Sequence, residues 1–320
     1  RQLEDMAGDY NASQDRVVVR TSNQGTYDEQ LQKFKTGLGK PETLPAIMTG
    51  EDTNTQLLID SRSVVPAQDC IDADEGSDEL YDDLVPAVEA FYSDDDRLLA
   101  GGFGIANPVL YFNERIFEEA GITEAPKTLD ELRTVAEQIK AAGIAGVEEP
   151  LVMGMDSWFF EIFLTGDGEP VVDKDNGWSD RATEALLTSE PATAQIEWLQ
   201  GMVADGLLKP IASNDAISPY LAVATESGAM LLQTSAAITT IDAAIKGTLS
   251  AEIVPELGDL DVSGFQFDTL RVGVAPIPGV SEPGRGQISG NAWYILRKTD
   301  EEIAASWDFL KYANSTAAQV

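Results

Sequence analysis

The chain has 320 residues, 43% hydrophobic and 24% charged, which is enough for two domains with sizeable cores and too apolar for a disordered chain. Lysine and arginine number 21 against 55 aspartates and glutamates, and the formal net charge of −34 repels phosphate backbones and anionic lipid, so nucleic acid is not an expected partner. Histidine is absent, which excludes Ser-His-Asp and Cys-His nucleophiles and every imidazole metal site, and the single cysteine, Cys70, has no intrachain partner and reads as a small buried hydrophobe.

In chain order, Leu3, Met6 and Tyr10 stand at helical spacing from the first residues onward, and the sequence reads as part of a longer chain. Residues 16–21 (RVVVRT) form a short β-branched run that predicts a strand. A Gly25-Thr26-Tyr27 turn follows, then an amphipathic helix with Leu31, Phe34 and Leu38. Residues 44–48 (LPAIM) predict the next strand, broken at Thr49-Gly50-Glu51-Asp52 before a helix carrying Leu57, Leu58 and Ile59; a carboxylate is thereby set at the carboxyl end of a strand. The acidic stretch 69–97 reads as solvated surface, with a cation site as the alternative.

Thr128 and Glu131 have capping-box spacing ahead of Leu132, Val135 and Ile139, with Gly143 closing that helix. No run approaches the ~18 apolar residues of a membrane span, and WFFEIFL at 158–164 is interrupted by Glu161. Asp173, Asp175 and Glu184 echo a calcium loop, but Trp178 stands where that loop needs glycine. Ser189 and Pro191 start a helix whose Ile196, Leu199, Met202 and Val203 are expected in the core. Strands are predicted at 229–232, 270–275 and 292–296, and Thr299 with Glu302 caps a helix carrying Ile303, Trp307 and Leu310. The alternation of helices and strands predicts an α/β protein with a largely parallel sheet. Walker, GxSxG and GxGxxG signatures are missing. The remaining catalytic reading is a carboxylate pair, Asp52 with Asp156 or Glu161, of the kind glycosidases use.

The segments NPVLYFNERIFEEAGI at 107–122 and PKTLDEL at 126–132 resemble the signature of family 1 extracellular solute-binding proteins, the capturing subunits of ABC importers. The likeness continues through 44–66, DSWFFE at 156–161, ESGAMLLQTSAAI at 226–238 and 287–312, in the family's order. It is nearest the glycerol-3-phosphate-binding branch. The resemblance implies an α/β, two-lobed periplasmic-binding-protein type II fold, maltose-binding-protein-like, with an interlobe cleft. It implies lobe one over 1–107 and 274–320, lobe two over 108–273, and a hinge near 106–109, where Pro108 lies, and 272–274. A strand before Arg1 and a helical segment after Val320 belong to the family pattern and lie outside this sequence.

The same resemblance implies ligand-binding roles for Tyr27, Asp52, Trp158, Thr234, Ser235, Gly290 and Asn291, with no catalytic residue, metal or cofactor. Asp52 would accept solute hydroxyls, or serve only as a helix N-terminal carboxylate. Trp158 would pack on a polyol or embrace a choline cation, or fill an aromatic core. Thr234 and Ser235 suit an anionic oxygen, or Ser235 caps a helix; Gly290 and Asn291 approach the ligand, or form a turn. The branch's phosphate serine aligns with Ile105 or Ala106, neither of which has a hydroxyl. The implied solute is a glycerol phosphate or glycerophosphodiester, with a neutral sugar as the alternative. The implied partners are ABC permease transmembrane subunits. The implied location is the periplasm or the outer face of the cell membrane, through a lipid anchor on a segment outside this sequence.

Overall fold

A computed structural model describes residues 2–319 except 26, 76, 78, 79, 95, 96, 214, 216, 247, 249 and 251–269. Its strands are β1 (Ile47–Glu51), β2 (Val64–Val65), β3 (Ser93–Asp94), β4 (Arg97–Leu98), β5 (Gly101–Ala106), β6 (Pro108–Asn113), β7 (Glu149–Met155), β8 (Leu208–Ala212), β9 (Gly228–Thr234), β10 (Val272–Pro276) and β11 (Ser289–Leu296). The chain forms two compact units, residues 1–105 with 288–320 and residues 106–287.

In the first unit β11 is the central strand. It pairs antiparallel with β1 and β2, and β5 also joins it. Its run from Ala292 to Leu296 is buried on both faces, which explains why that segment reads as continuously apolar rather than alternating. The core around its own Tyr294 takes Phe34, Leu58, Tyr92 and Leu310 from the flanking segments. Thr299 caps the helix Asp300–Ala313 with a complete capping box, its hydroxyl accepting from Glu302 N–H while Glu302 accepts from the Thr299 N–H. Inside the acidic stretch Cys70 is buried, which pushes its thiol upward. Asp69 pairs with Arg97, and Asp74 accepts from Trp307 Nε1 at 3.0 Å and Lys311 Nζ at 2.6 Å. No set of three or more metal-ligating side chains converges among the described residues.

Residues 16–21 depart from the expected strand. The alternation is present: Val17 and Val19 pack against the core and Val18 is 70% exposed. The hydrogen bonds, however, come from side chains of the preceding helix, Gln2–Ser13, and the residue after it. Asn11 accepts from Val19 N–H and donates to Val19 C=O, both at 2.8 Å, and Gln14 does the same for Val17 at 2.8 and 2.7 Å. Two amide side chains thus serve the backbone groups that a neighbouring strand would otherwise take.

The second unit holds a five-stranded sheet in the order β10-β6-β9-β7-β8. Only β7 runs parallel to its neighbours, β8 and β9; β6 is antiparallel to β9 and β10, so the sheet is mixed rather than largely parallel. Because β10 lies beside β6, residues 272–276 belong to this sheet. The compact division falls between 287 and 288, not at the expected 273 and 274. Thr128 caps the helix Leu129–Ala142 through Glu131 N–H, but the Glu131 carboxylate reaches back to Lys127 N–H, one residue earlier than the box predicts.

The helix Glu190–Ala204 buries Ala192, Gln195 and Met202 and leaves Ile196 and Val203 41% and 40% exposed. Of the expected core residues Met202 is buried and Leu199 packs against the core, whereas Ile196 and Val203 turn outward and Gln195 takes a place in the buried stripe. The calcium-like loop is closed on itself: Asp173 accepts from Thr183 N–H, Thr183 Oγ1 and Glu184 N–H at 2.7 to 3.0 Å, which holds its carboxyl below the usual range.

Candidate functional site

Four of the sequence-predicted residues lie in the first unit, where one end of the sheet collects them. β1 and β11 are antiparallel with Glu51 opposite Asn291, so the carboxyl end of β1 meets the amino end of β11. The helix Tyr27–Gly37 begins beside them, tied by Gln30 Nε2 donating to Thr49 C=O at 2.8 Å. Tyr27 and Asn291 are brought together. Asn291 Nδ2 donates to the Tyr27 hydroxyl at 2.8 Å, and the buried Asn291 Oδ1 accepts nothing among the described residues. Tyr27 stays 47% exposed, and its hydroxyl proton is left to donate.

Gly290, next to Asn291, has φ +120°, and a Cβ there would stand 2.3 Å from the Gly104 carbonyl oxygen. Its glycine is therefore demanded by the close approach of β11 to β5, whatever else its amide does. Asp52 is 5% exposed and opens a turn, Asp52–Asn54, that leads into the helix Thr55–Ser61. Its carbonyl accepts from Thr55 Oγ1 at 2.8 Å, and that hydroxyl lies 3.2 Å from the Tyr294 hydroxyl. Burial pushes the Tyr294 phenol up to about 12; the Thr55 hydrogen bond opposes this and the Asp52 charge adds to it. Tyr92 is buried, its hydroxyl has no partner among the described residues, and the Asp52 charge contributes to raising it as well, after burial and Tyr294.

The other three lie in the second unit at the carboxyl ends of two adjacent parallel strands. Met153 of β7 is opposite Leu232 of β9, so the Trp158 helix after β7 and the Thr234-Ser235 pair after β9 leave the sheet at the same edge. That edge is where open α/β sheets place ligands. Asp156 caps the helix Ser157–Gly166 by accepting from Trp158 N–H at 2.9 Å, and Trp158 packs against Phe159 with the rings tilted by 59° and their centroids 4.9 Å apart. Its indole N–H is buried without a partner among the described residues.

Ser235 does not cap a helix through its side chain. Its Oγ accepts from Asn107 N–H at 3.1 Å while its own N–H donates to Asn107 C=O at 2.7 Å, and Tyr111 donates to Thr234 C=O at 2.9 Å. Asn107 and Tyr111 thus position the Thr234-Ser235 turn, and the Ser235 hydroxyl keeps a proton to donate. The sequence reading missed both. Their only signal was their place inside the NPVLYFN motif, which gives no hint of a contact more than a hundred residues away.

Against known families, residues 5–320 match the model of the bacterial extracellular solute-binding protein. The sn-glycerol-3-phosphate-binding periplasmic protein UgpB of Escherichia coli strain K12 is 28% identical over 196 residues, which is 58% of this chain and 42% of that protein. The chain therefore aligns with about two fifths of the length of the curated relatives it matches. UgpB from Mycobacterium tuberculosis, solved with glycerophosphocholine, superposes with a TM-score of 0.73 at 18% identity over 98% of this chain and 73% of that one. The GacH receptor of Streptomyces glaucescens, solved unliganded and with acarbose, gives 0.74 at 21% identity over 99% and 73%. These likenesses fix the fold as the two-lobed α/β fold of the maltose-binding-protein-like periplasmic binding proteins. By the match of nearly its whole length, the chain belongs to the bacterial extracellular solute-binding protein family.

Proposed function

We propose that this protein is the solute-capturing subunit of an ABC importer, working in the periplasm or on the outer face of the membrane, and that it takes a glycerol phosphate or glycerophosphodiester. The observation that carries this reading is the Tyr27–Asn291 hydrogen bond at the sheet end that also holds Asp52. Two residues 264 positions apart supply a phenol proton and an amide oxygen that accepts nothing among the described residues, at the sheet end where Asp52 follows β1, a set matched to the hydroxyls of a glycerol. Ser235, with a hydroxyl proton left at the end of β9, supplies a donor for a phosphate oxygen. The relatives named for sn-glycerol-3-phosphate and the neighbour solved with glycerophosphocholine support the same solute class.

Candidate residues occur in each unit taken by itself, and we further propose that occupancy shifts an open-to-closed population about the chain crossings near 106–109 and before 288, and that permease transmembrane subunits and a lipid anchor complete the assembly. A neutral sugar is the second reading. It is favoured by Ile105 and Ala106 where the glycerol-phosphate branch has a serine, and by the net charge of −34.

Thermal unfolding with sn-glycerol-3-phosphate, glycerophosphocholine, maltose and an activated glycoside tests these readings. A true ligand at 100 times its Kd adds ~2.7 kcal/mol, a rise of several degrees. Stabilisation by either ester, weakened about tenfold in Kd by Tyr27→Phe or Asp52→Asn, is the expected result. Stabilisation by maltose alone moves the assignment to the sugar, and turnover of the glycoside overturns both.

A further inference from the structure

The capture of an anionic glycerol ester leaves one group of the second unit without a task. Glu161 lies three residues beyond Trp158 on the helix Ser157–Gly166, one turn along the same side, while Phe159, Ile162 and Phe163 turn into the core. Its carboxylate is half-buried and makes no hydrogen bond or ion pair among the described residues; the nearby Thr165 hydroxyl donates to the Glu161 carbonyl instead, at 2.8 Å. The neighbouring charge is Asp156, of the same sign, whose Oδ1 is already bonded to Trp158 N–H. Burial first, and Asp156 second, push the Glu161 carboxyl above the usual range, and no cation among the described residues offsets them. A half-dry acid beside a second acid and an indole is short of positive charge. A phosphate oxygen there would be repelled by both carboxylates, and a sugar hydroxyl would leave the charge uncompensated.

We propose that Glu161 is a specificity-determining residue that, together with Trp158, receives a cationic ammonium group carried by the solute. An ammonium is drawn to the face of an indole by the ring quadrupole and to the carboxylate by charge. The pair would therefore separate a zwitterionic glycerophosphodiester from glycerol phosphate. This rests on the reading of the protein as a binder of glycerol esters.

Calorimetric titration of the whole chain tests it. Glycerophosphocholine and glycerophosphoglycerol share the phosphodiester and differ in carrying an ammonium or a hydroxyl. The wild type is expected to bind the choline ester about tenfold more tightly. Glu161→Gln, nearly isosteric, is expected to bring that ratio to within about twofold, and Glu161→Asp to keep part of it. Equal affinity for the two esters in the wild type overturns the role of Glu161 without need of any variant, as does a ratio that Glu161→Gln leaves unchanged. Wild-type protein that binds neither these esters nor sn-glycerol-3-phosphate overturns the ester reading itself, a result distinct from either of the others.

Discussion

The two units satisfy their candidate residues to different degrees. In the first, polar side chains largely answer one another across the sheet end: Asn291 donates to Tyr27, Thr55 bonds the Asp52 carbonyl and meets the Tyr294 hydroxyl, and Gly290 lets β11 lie against Gly104, with the Asn291 Oδ1 and the Tyr92 hydroxyl left over among the described residues. In the second, the backbone is well fixed by Asp156 and by the Asn107–Ser235 bracket, while the Trp158 indole N–H and the Glu161 carboxylate have no partner among the described residues. A site set whose groups satisfy one another gains its geometry from folding. A set left unsatisfied draws its complement from elsewhere and bears a cost until it does so. The first arrangement favours pre-formed hydrogen-bond geometry, and the second favours selectivity.

Four substitutions would break or sharpen this contrast. The largest effect is expected from Gly290→Ala, which sets a methyl against the Gly104 carbonyl at a φ that suits glycine; a loss of about 3 kcal/mol in urea unfolding is expected, and a loss below about 1 would show that β11 can shift away. Next is Trp158→Ala, expected to cost the solute about 2 kcal/mol, or ~30-fold in Kd by calorimetry; a change under threefold would remove the indole from the recognition set. Tyr27→Phe removes the acceptor of Asn291 Nδ2 and should lower stability by about 1 kcal/mol with an unchanged m-value.

The smallest effect concerns Glu161→Gln and acid. Since the folded Glu161 carboxyl is raised, this group binds more proton in the native than in the unfolded chain just above the ordinary glutamate value, so its own contribution to stability declines as pH rises through that window. The variant should lack this contribution. Relative to the wild type it should gain stability toward pH 7 and lose that advantage below about pH 4, where Glu161 is mostly protonated in both states. Parallel wild-type and variant curves from pH 4 to 7 would refute the desolvation of Glu161.

The local signals in the sequence were read well where they were chemical and short in range. Thr128, Ser189 and Thr299 cap helices because a hydroxyl three residues before an exposed N–H is a complete local device. The sheet-end position of Asp52 likewise follows from a strand, a turn and a helix in succession. The rest depends on partners far along the chain. Nothing near Gly290 announces that Gly104 will lie against it, nothing near Ser235 announces Asn107, and only its neighbours decide that the helix Glu190–Ala204 buries Gln195 with Met202 and leaves Ile196 and Val203 outside. Helices between strands suggest parallel crossovers, and the antiparallel placement of β6 between β9 and β10 is not written in any of the three strands.

Residues 17 and 19, held by Asn11 and Gln14, have a consequence for how this part of the chain comes loose. A ladder between strands yields as a block, whereas here each valine hangs from its own amide hook. The segment can therefore be unfastened one hook at a time. Its amide protons at Val17 and Val19 will exchange with solvent at rates set separately by those two side chains, ahead of the strands around β11.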